Sequence, residues 1–496
     1  MLDNVILGLS EALTLNNLYW CFVGVFFGTF LGALPGIGTM VAMSLLFPLT
    51  FHLDPAAAII MLAGIYYGTA YGGSTASILL NLPGTPASAV ACFDGHQMAK
   101  QGRAGIALMV SAIGSFVGGS IGIILMMTFS PLISSLALSF GPSEYVALIV
   151  LGLVAASSIS SGSPIKGVAM IVLGILLGLV GIDVNSGVPR FTFGSIEFFD
   201  GIALVALAMG LFGVAEVVVS IREAADIPAA ARRVPLRSMV PTRDDVSRSW
   251  KPMLRGSGIG AFLGALPGTG ATIASFMSYA AEHSLAKDPS RFGKGAIEGV
   301  AGPETANNAA DQTAFIPTLT LGIPGTASMA LILGILMMHN ITPGPNLIVN
   351  HPDLFWGVVM SFWIGNILLV ILNLPLIGIW VRLLTVPYRY VYPAILVFVC
   401  VGIYSVESKG FDVLVVAAFG AAGYIMRLLG LPPAPLLLGF VLGPMLEENF
   451  RRALLMSRGD LATFISLPIS APVLACAGLI LTTSLVLWVR KLNSAR

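Results

Sequence analysis

The chain is short of charge. Of 496 residues only 10% are Asp, Glu, Lys or Arg, and 56% are hydrophobic. Soluble domains carry roughly 25% charged residues, so a soluble globular protein is excluded. Cysteine is also scarce: Cys21, Cys92, Cys400 and Cys476 are scattered through apolar sequence with no Cys-x-x-Cys, which argues against a zinc site or a disulfide framework. The net charge of +1 gives no electrostatic footprint for nucleic acid. Gly293-Lys294-Gly295 lacks the upstream Gly spacing and the following Ser/Thr of a P-loop, so the chain is not expected to hydrolyse ATP. A His-Glu-x-x-His motif is absent, and Asp244-Asp245 has no second acidic cluster to suggest an intramembrane prenyl-type enzyme. The start, Met1-Leu2-Asp3-Asn4, lacks the basic region of a signal peptide, so the first hydrophobic run is expected to remain as a span.

What the chain has instead is apolar length. A span needs about 20 apolar residues, which predicts roughly 10 to 12 spans with some half-spans in an all-α polytopic membrane protein surrounded by lipid. The apolar runs are broken in a patterned way. Asn81-Leu82-Pro83-Gly84-Thr85-Pro86 interrupts one of them, and Ile323-Pro324-Gly325-Thr326-Ala327-Ser328 another. Pro removes a backbone donor and Gly opens positive φ, so regular helix is not expected at either place. Gly84 and Gly325 are read as positions where backbone approaches a ligand. A second pair of breaks lies upstream, at Gly32-Ala33-Leu34-Pro35-Gly36-Ile37-Gly38-Thr39 and Gly264-Ala265-Leu266-Pro267-Gly268-Thr269-Gly270. The upstream pair is offset by 232 (264 − 32) and the downstream pair by 241 (324 − 83). Both breaks thus recur in the same order, which is an internal repeat. One such Pro-Gly motif would be explained by close helix packing; paired breaks in corresponding halves point to a transporter binding site.

Residues 221–255 hold eight Lys/Arg against four Asp/Glu and are expected to form a cytoplasmic linker. The chain is therefore divided into a first repeat, 1–220, the linker, 221–255, a second repeat, 256–469, and a C-terminal helix and tail, 470–496. A basic tail places the C-terminus inside and the acidic start places the N-terminus outside, so the repeats are expected to be inverted. The basic loop at Lys287, Arg291 and Lys294 does not fit simply, unless 256–284 is a re-entrant hairpin. Locally, Thr39 is expected to cap a helix from Met40, Asp54-Pro55 to open a helix over 56–67, Thr85-Pro86 to open a short helix, and 94–103 to be a loop.

Candidate ligands cluster at the breaks: Gly36, Gly38, Thr39, Pro83, Gly84, Thr85, Gly268, Gly270, Pro324, Gly325 and Thr326. Ser74 and Thr75 come from a stretch dense in small and hydroxyl residues, Tyr66 to Thr75. The polar run Pro303 to Asp311 adds Glu304, Asn307, Asn308 and Asp311; ionisable groups at bilayer depth are costly and rare without a role. An extramembrane loop is the alternative for that run. Glu304 and Asp311 suit a proton or Na+, and Asn81 and Asn308 offer amides that suit Na+ or a carboxylate. Lys166, Glu216 and Asp412 stand isolated in apolar sequence. No metal site is certain and no cofactor is expected beyond a coupling Na+ or H+.

These residues, with Asp94-Gly95 and Gly322 to Thr326, resemble the large membrane subunit of tripartite tricarboxylate transporters, the TctA family. The resemblance runs across both halves in family order. It implies a multi-pass protein of the bacterial inner membrane, not an enzyme. The implied activity is ion-gradient-driven uptake of a di- or tricarboxylate such as citrate. The implied partners are a small membrane subunit and a periplasmic solute-binding protein. Alternatives are a stand-alone ion-coupled carrier, a channel and an intramembrane enzyme.

Overall fold

The computed structural model describes residues 2–34, 36–159, 163–183, 186–223, 234–383, 388–407 and 409–494. Expectations resting on Pro35, Asp226, Arg232, Arg233 and Arg496 lie outside them. The architecture is all-α apart from one two-stranded hairpin, β1 (Gly181–Ile182) and β2 (Pro189–Arg190), paired antiparallel.

The first half opens with α1 (Leu2–Ala12), α2 (Leu15–Ala33), α3 (Thr39–Leu46) and α4 (Pro55–Leu80). Helix α3 starts at Thr39 itself, with Gly38 at the cap; the Thr39 hydroxyl bonds instead to that of Thr69, at 2.9 Å. Asp54 caps α4 by accepting from the N–H of Ala57, with Pro55 first in the helix. Helix α4 runs well past the expected residue 67, because the small residues 68–77 that follow are still packed on both sides and buried. It ends at Asn81, which takes the left-handed conformation (φ 62°).

Helices α2 and α4 lie backbone to backbone. A Cβ on Gly24, Gly28 or Gly32 would stand 2.2–2.5 Å from the backbone of Met61, Ile65 or Thr69 respectively. Only glycine permits that approach, and without a hydrophobic drive between helices in lipid such close contact is a main source of association.

After α4 come α5 (Ala91–Lys100), α6 (Ala104–Ala137), α7 (Pro142–Ile159), α8 (Pro164–Gly178), α9 (Leu204–Ala208), a π-helical stretch at Met209–Val214 and α10 (Ala215–Glu223). The helix α5 corrects the expected loop at 94–103. Its polar residues are satisfied by distant partners: Asp94 accepts from the Tyr279 hydroxyl at 2.9 Å and from the N–H groups of Gly295 and Ala296, both at 2.8 Å.

The second half repeats the plan with α11 (Arg243–Gly264), α12 (Gly270–Leu285), α13 (Glu298–Thr313), α14 (Phe315–Leu321) and α15 (Ala327–Met338). Gly256, Gly260 and Gly264 of α11 would each place a Cβ 2.1–2.3 Å from the backbone of Gly302, Ala306 and Ala310 of α13. The two offsets found in sequence reappear here as contacts: Gly24 and Gly256 differ by 232 (256 − 24), and their partners Met61 and Gly302 by 241 (302 − 61). The chain continues as α16 (Asn346–Asn350), α17 (Pro352–Asn373), α18 (Ile377–Leu383), α19 (Tyr388–Glu407), α20 (Gly410–Leu428), α21 (Pro433–Met456), α22 (Thr463–Ser466) and α23 (Ser470–Ser494).

Helices α11 and α12 form a hairpin whose two ends return to one place. Glu298 accepts from Arg248, near the start of α11, and from Arg291, after α12, each at 3.0 Å. The basic loop at 287–294 therefore sits beside the linker side of α11. In the first half Asn16, at the start of α2, bonds Asp54 at 2.8 Å in the same way.

The two halves meet along α4 and α13–α14. Gly95 packs between Ile78 and Val300, Ser74 bonds Glu304, and Tyr66 and Tyr67 meet Phe315 edge-on or tilted. Positions fall along α4 as they rise along α13–α14, so these two central elements run antiparallel. The long α6 packs on α13, with Gly118 against Thr305, while α17 packs on α4 through Asn366 and Tyr71. Outside this centre α8 runs beside α21 and the 204–223 segment beside α20.

Six helices are long and apolar enough to cross a membrane among the described residues, and six shorter apolar ones accompany them.

Candidate functional site

The four breaks converge on a cavity of about 770 Å³. Gly36, Gly38 and Thr39 come from the α2–α3 turn, and Pro83, Gly84 and Thr85 from the end of α4. Gly270 to Thr272 come from the start of α12, and Thr326 and Ser328 from the start of α15. The breaks are locked in pairs within each half. The Gly268 N–H donates to the carbonyl of Gly325 at 2.8 Å, and Gly84 sits so close to Gly32 that a Cβ would stand 2.1 Å from its carbonyl oxygen. Thr85 accepts from the N–H of Ser88, and Thr326 from that of Met329, both at 3.3 Å. The same hydroxyl thus opens the next helix in each half.

Neither Gly84 nor Gly325 has positive φ, contrary to expectation; the left-handed positions are Gly36, Gly268 and Gly270 in the upstream breaks, and Asn81 and Gly322 in the downstream ones. The turn is made two or three residues earlier than the Pro-Gly step, where the helix ends. Asn81 and Gly322 correspond by the offset of 241 (322 − 81), and both hold the left-handed cap.

The floor of the cavity is polar. Tyr66 and Ala70 of α4 face Asn307 and Asp311 of α13. Asn307 is 1% exposed, and neither its amide oxygen nor its amide nitrogen has a hydrogen-bond partner. Buried amides are normally satisfied, and this one lines the cavity. Asp311 lies beside the Tyr66 hydroxyl, with Thr326 on its other side.

One turn away from the cavity, Glu304 accepts from Ser74 at 2.5 Å and from Ser111 at 3.1 Å and is 1% exposed. These hydroxyls bring α4, α6 and α13 together on one carboxylate that has no cation among its hydrogen-bond partners. Asn308 donates to Ser115 at 2.8 Å and to the Glu304 carbonyl at 3.1 Å, tying α13 to α6.

The expected site residues thus divide. Gly36, Gly38, Thr39, Pro83, Gly84, Thr85, Gly270, Asn307, Asp311 and Thr326 line the cavity. Gly268, Pro324 and Gly325 stand behind the tips; Ser74, Glu304 and Asn308 form the network below; Thr75 donates to the Tyr71 carbonyl within α4; and Asn81 is exposed at the helix end.

Of one further wall, sequence reasoning singled out Glu216 but left out Arg427 and the turn that follows it. The wall is made by Glu216 of α10, Arg427 of α20 and the turn Gly430 to Ala434. Arg427 donates to Glu216 at 2.7 Å. Gly430-Leu431-Pro432-Pro433 is a further Gly/Pro break, and Arg427 is a lone basic residue in an apolar run, so both signals were present. They were masked because neither recurs in the other half. Lys166, isolated in sequence, donates to the carbonyl of Leu429 at 2.6 Å and so caps the end of α20.

The model of the Tripartite tricarboxylate transporter TctA family matches residues 18–438, a range that holds every residue lining the cavity. Among curated relatives, an uncharacterized 52.8 kDa protein in the TAR-I ttuC' 3' region of Agrobacterium vitis is 52% identical over 475 residues, covering 96% of this chain and 94% of the relative. An uncharacterized protein in the TAR-II ttuC' 3' region of the same organism is 58% identical over 215 residues, covering 43% of this chain and 89% of the relative. No solved structure matches the chain.

Proposed function

Because the chain belongs to the TctA family of tripartite tricarboxylate transporters, a family of multi-pass transporter components and not enzymes, we propose that it is the large subunit of an importer. It moves a di- or tricarboxylate across the bacterial inner membrane on an ion gradient. A periplasmic solute-binding protein delivers the anion, and a small membrane subunit completes the assembly. The observation that carries this reading is Asn307, whose amide oxygen and nitrogen are both unpartnered at the floor of a cavity built from four helix breaks. An amide can give its oxygen to a cation and its N–H to a carboxylate at once.

The ion follows from electrostatics. Desolvating a carboxylate costs several kcal/mol, and the cavity floor already carries Asp311, with Glu304 below it. Bringing a polyanion to this place requires positive charge that moves with it. Na+ or H+ at Asp311, Asn307 or Glu304 is the proposed source, and the same particle couples transport to the gradient. The antiparallel course of α4 and α13–α14 supports two inverted repeats, the arrangement in which alternating access proceeds about a midplane site.

The test is citrate uptake into proteoliposomes carrying the chain and the small subunit, with and without the binding protein, under Na+ and proton gradients imposed separately. Uptake that needs one gradient and the binding protein is expected. Uptake at full rate without the binding protein would favour a stand-alone carrier, and movement without either gradient would favour a channel.

A further inference from the structure

We infer that Arg427 is the anchor for one carboxylate of the transported anion and that Glu216 is the resident carboxylate which the substrate displaces. The inference rests on the carboxylate reading of the cavity. Arg427 is the one cationic side chain among the described residues that line it. It lines the same cavity as Asn307 and Asp311 but comes from a different helix. The fork of a guanidinium matches a carboxylate, and here it already holds one, at 2.7 Å.

The pair is built for exchange. The side chains of Arg427 and Glu216 are 52% and 23% exposed. An ion pair that open to water adds little to stability, so replacing one carboxylate by another is nearly free. Glu216 lies near the start of α10 and itself lines the cavity, so the released carboxylate stays beside the site. Arg427 is held in place by its neighbours, since Lys166 fixes the Leu429 carbonyl two residues on.

A polyanion would then be held at two ends. One carboxylate meets Arg427, and the other meets Asn307 with the coupling cation. This explains how a cavity with a single arginine can take more than one negative charge.

The experiment uses the full chain purified in detergent, with citrate as the probe, read by equilibrium binding and by citrate-induced thermal stabilisation. Arg427→Gln is expected to weaken citrate at least tenfold, and Arg427→Lys to fall between it and the wild type because charge remains but the fork is lost. Glu216→Gln removes the competitor and is expected to bind citrate as tightly as the wild type or several-fold more tightly. If Arg427→Gln binds citrate as well as the wild type, the pair is only a structural tie and the inference is overturned. If Glu216→Gln weakens citrate as much as Arg427→Gln does, displacement is wrong. A wild type that neither binds nor transports citrate, succinate or malonate would overturn the carboxylate reading itself, and the inference with it.

Discussion

Asn81 and Asn307 carry the same side chain to different ends. Asn81 is exposed in the left-handed conformation that Gly322 holds in the other half. Asn81→Gly should therefore leave uptake unchanged and the melting temperature unchanged or slightly raised, whereas Asn81→Ala should cost about 1 kcal/mol of stability, because Ala keeps the Cβ but loses the polar side chain that lets Asn tolerate the left-handed region. Asn307→Ala should leave melting unchanged or raise it, since an unsatisfied amide is removed, and should weaken substrate by about 5- to 150-fold, from roughly 1–3 kcal/mol of lost partner. Uptake kinetics and thermal melting of the three variants distinguish these roles; slow uptake by Asn81→Gly beside normal uptake by Asn307→Ala would move the site to the helix end. The two Pro-Gly steps should differ as well. A Cβ on Gly84 meets the Gly32 oxygen at 2.1 Å and Gly73 Cα at 2.6 Å, while on Gly325 the nearest atom is 3.6 Å away. Gly84→Ala should lower the melting temperature, with roughly 1–3 kcal/mol of overpacking, and slow uptake; Gly325→Ala should do neither.

At the level of elements, α11 shows how a charged stretch becomes a helix start. Thr242 accepts from the Asp245 N–H, and Asp245 in turn accepts from the Thr242 N–H at 2.9 Å while also receiving Arg103. Burial works to raise the Asp245 pKa, but the Thr242 bonds and the Arg103 charge outweigh it and hold the carboxyl below its ordinary value. Its stabilising contribution is thus complete above about pH 4 and is lost as the pH falls below that range. Asp245→Asn should lower stability by about 1 kcal/mol at neutral pH, and the difference from wild type should shrink under acid, read by melting from pH 7 down to pH 3. What could be read from sequence at this scale was local or recurrent. The Asp54-Pro55 start, the Thr85 cap and the paired breaks are signalled by neighbours in the chain. Helix α5 was misread because Asp94 finds its partners at Tyr279, Gly295 and Ala296, far along the sequence. Arg427 was missed for the same reason, since the Glu216 it bonds lies in a segment that shares no motif with its own.

Over the whole molecule the offsets of 232 and 241 organise more than the breaks, because they also set which glycines touch which backbone. The same geometry resolves the basic loop that the sequence could not place. Glu298 joins Arg248 near the start of α11 to Arg291 after α12, and Gln101 donates to the Lys294 carbonyl at 2.8 Å. Gly105 packs against Ser238. The loop at 101–104, the segment at 234–242 and the loop at 287–294 therefore share one face. The β1–β2 hairpin lies at the other end: Lys409 reaches Asp200 at 3.5 Å where α20 begins, and Arg427 reaches Glu216 where it ends, next to the linker. From the Lys/Arg excess of residues 221–255 we propose that the linker face is cytoplasmic. Single cysteines placed at Ser238 and Lys287 in a background without Cys21, Cys92, Cys400 and Cys476 should both resist a membrane-impermeant thiol reagent in intact cells and react in inverted vesicles. A cysteine at Ser186 should behave in the opposite way. Labelling of Ser238 and Lys287 from opposite sides would mean that α11–α12 crosses the membrane rather than returning, and the convergence of its tip on the cavity would then need another explanation.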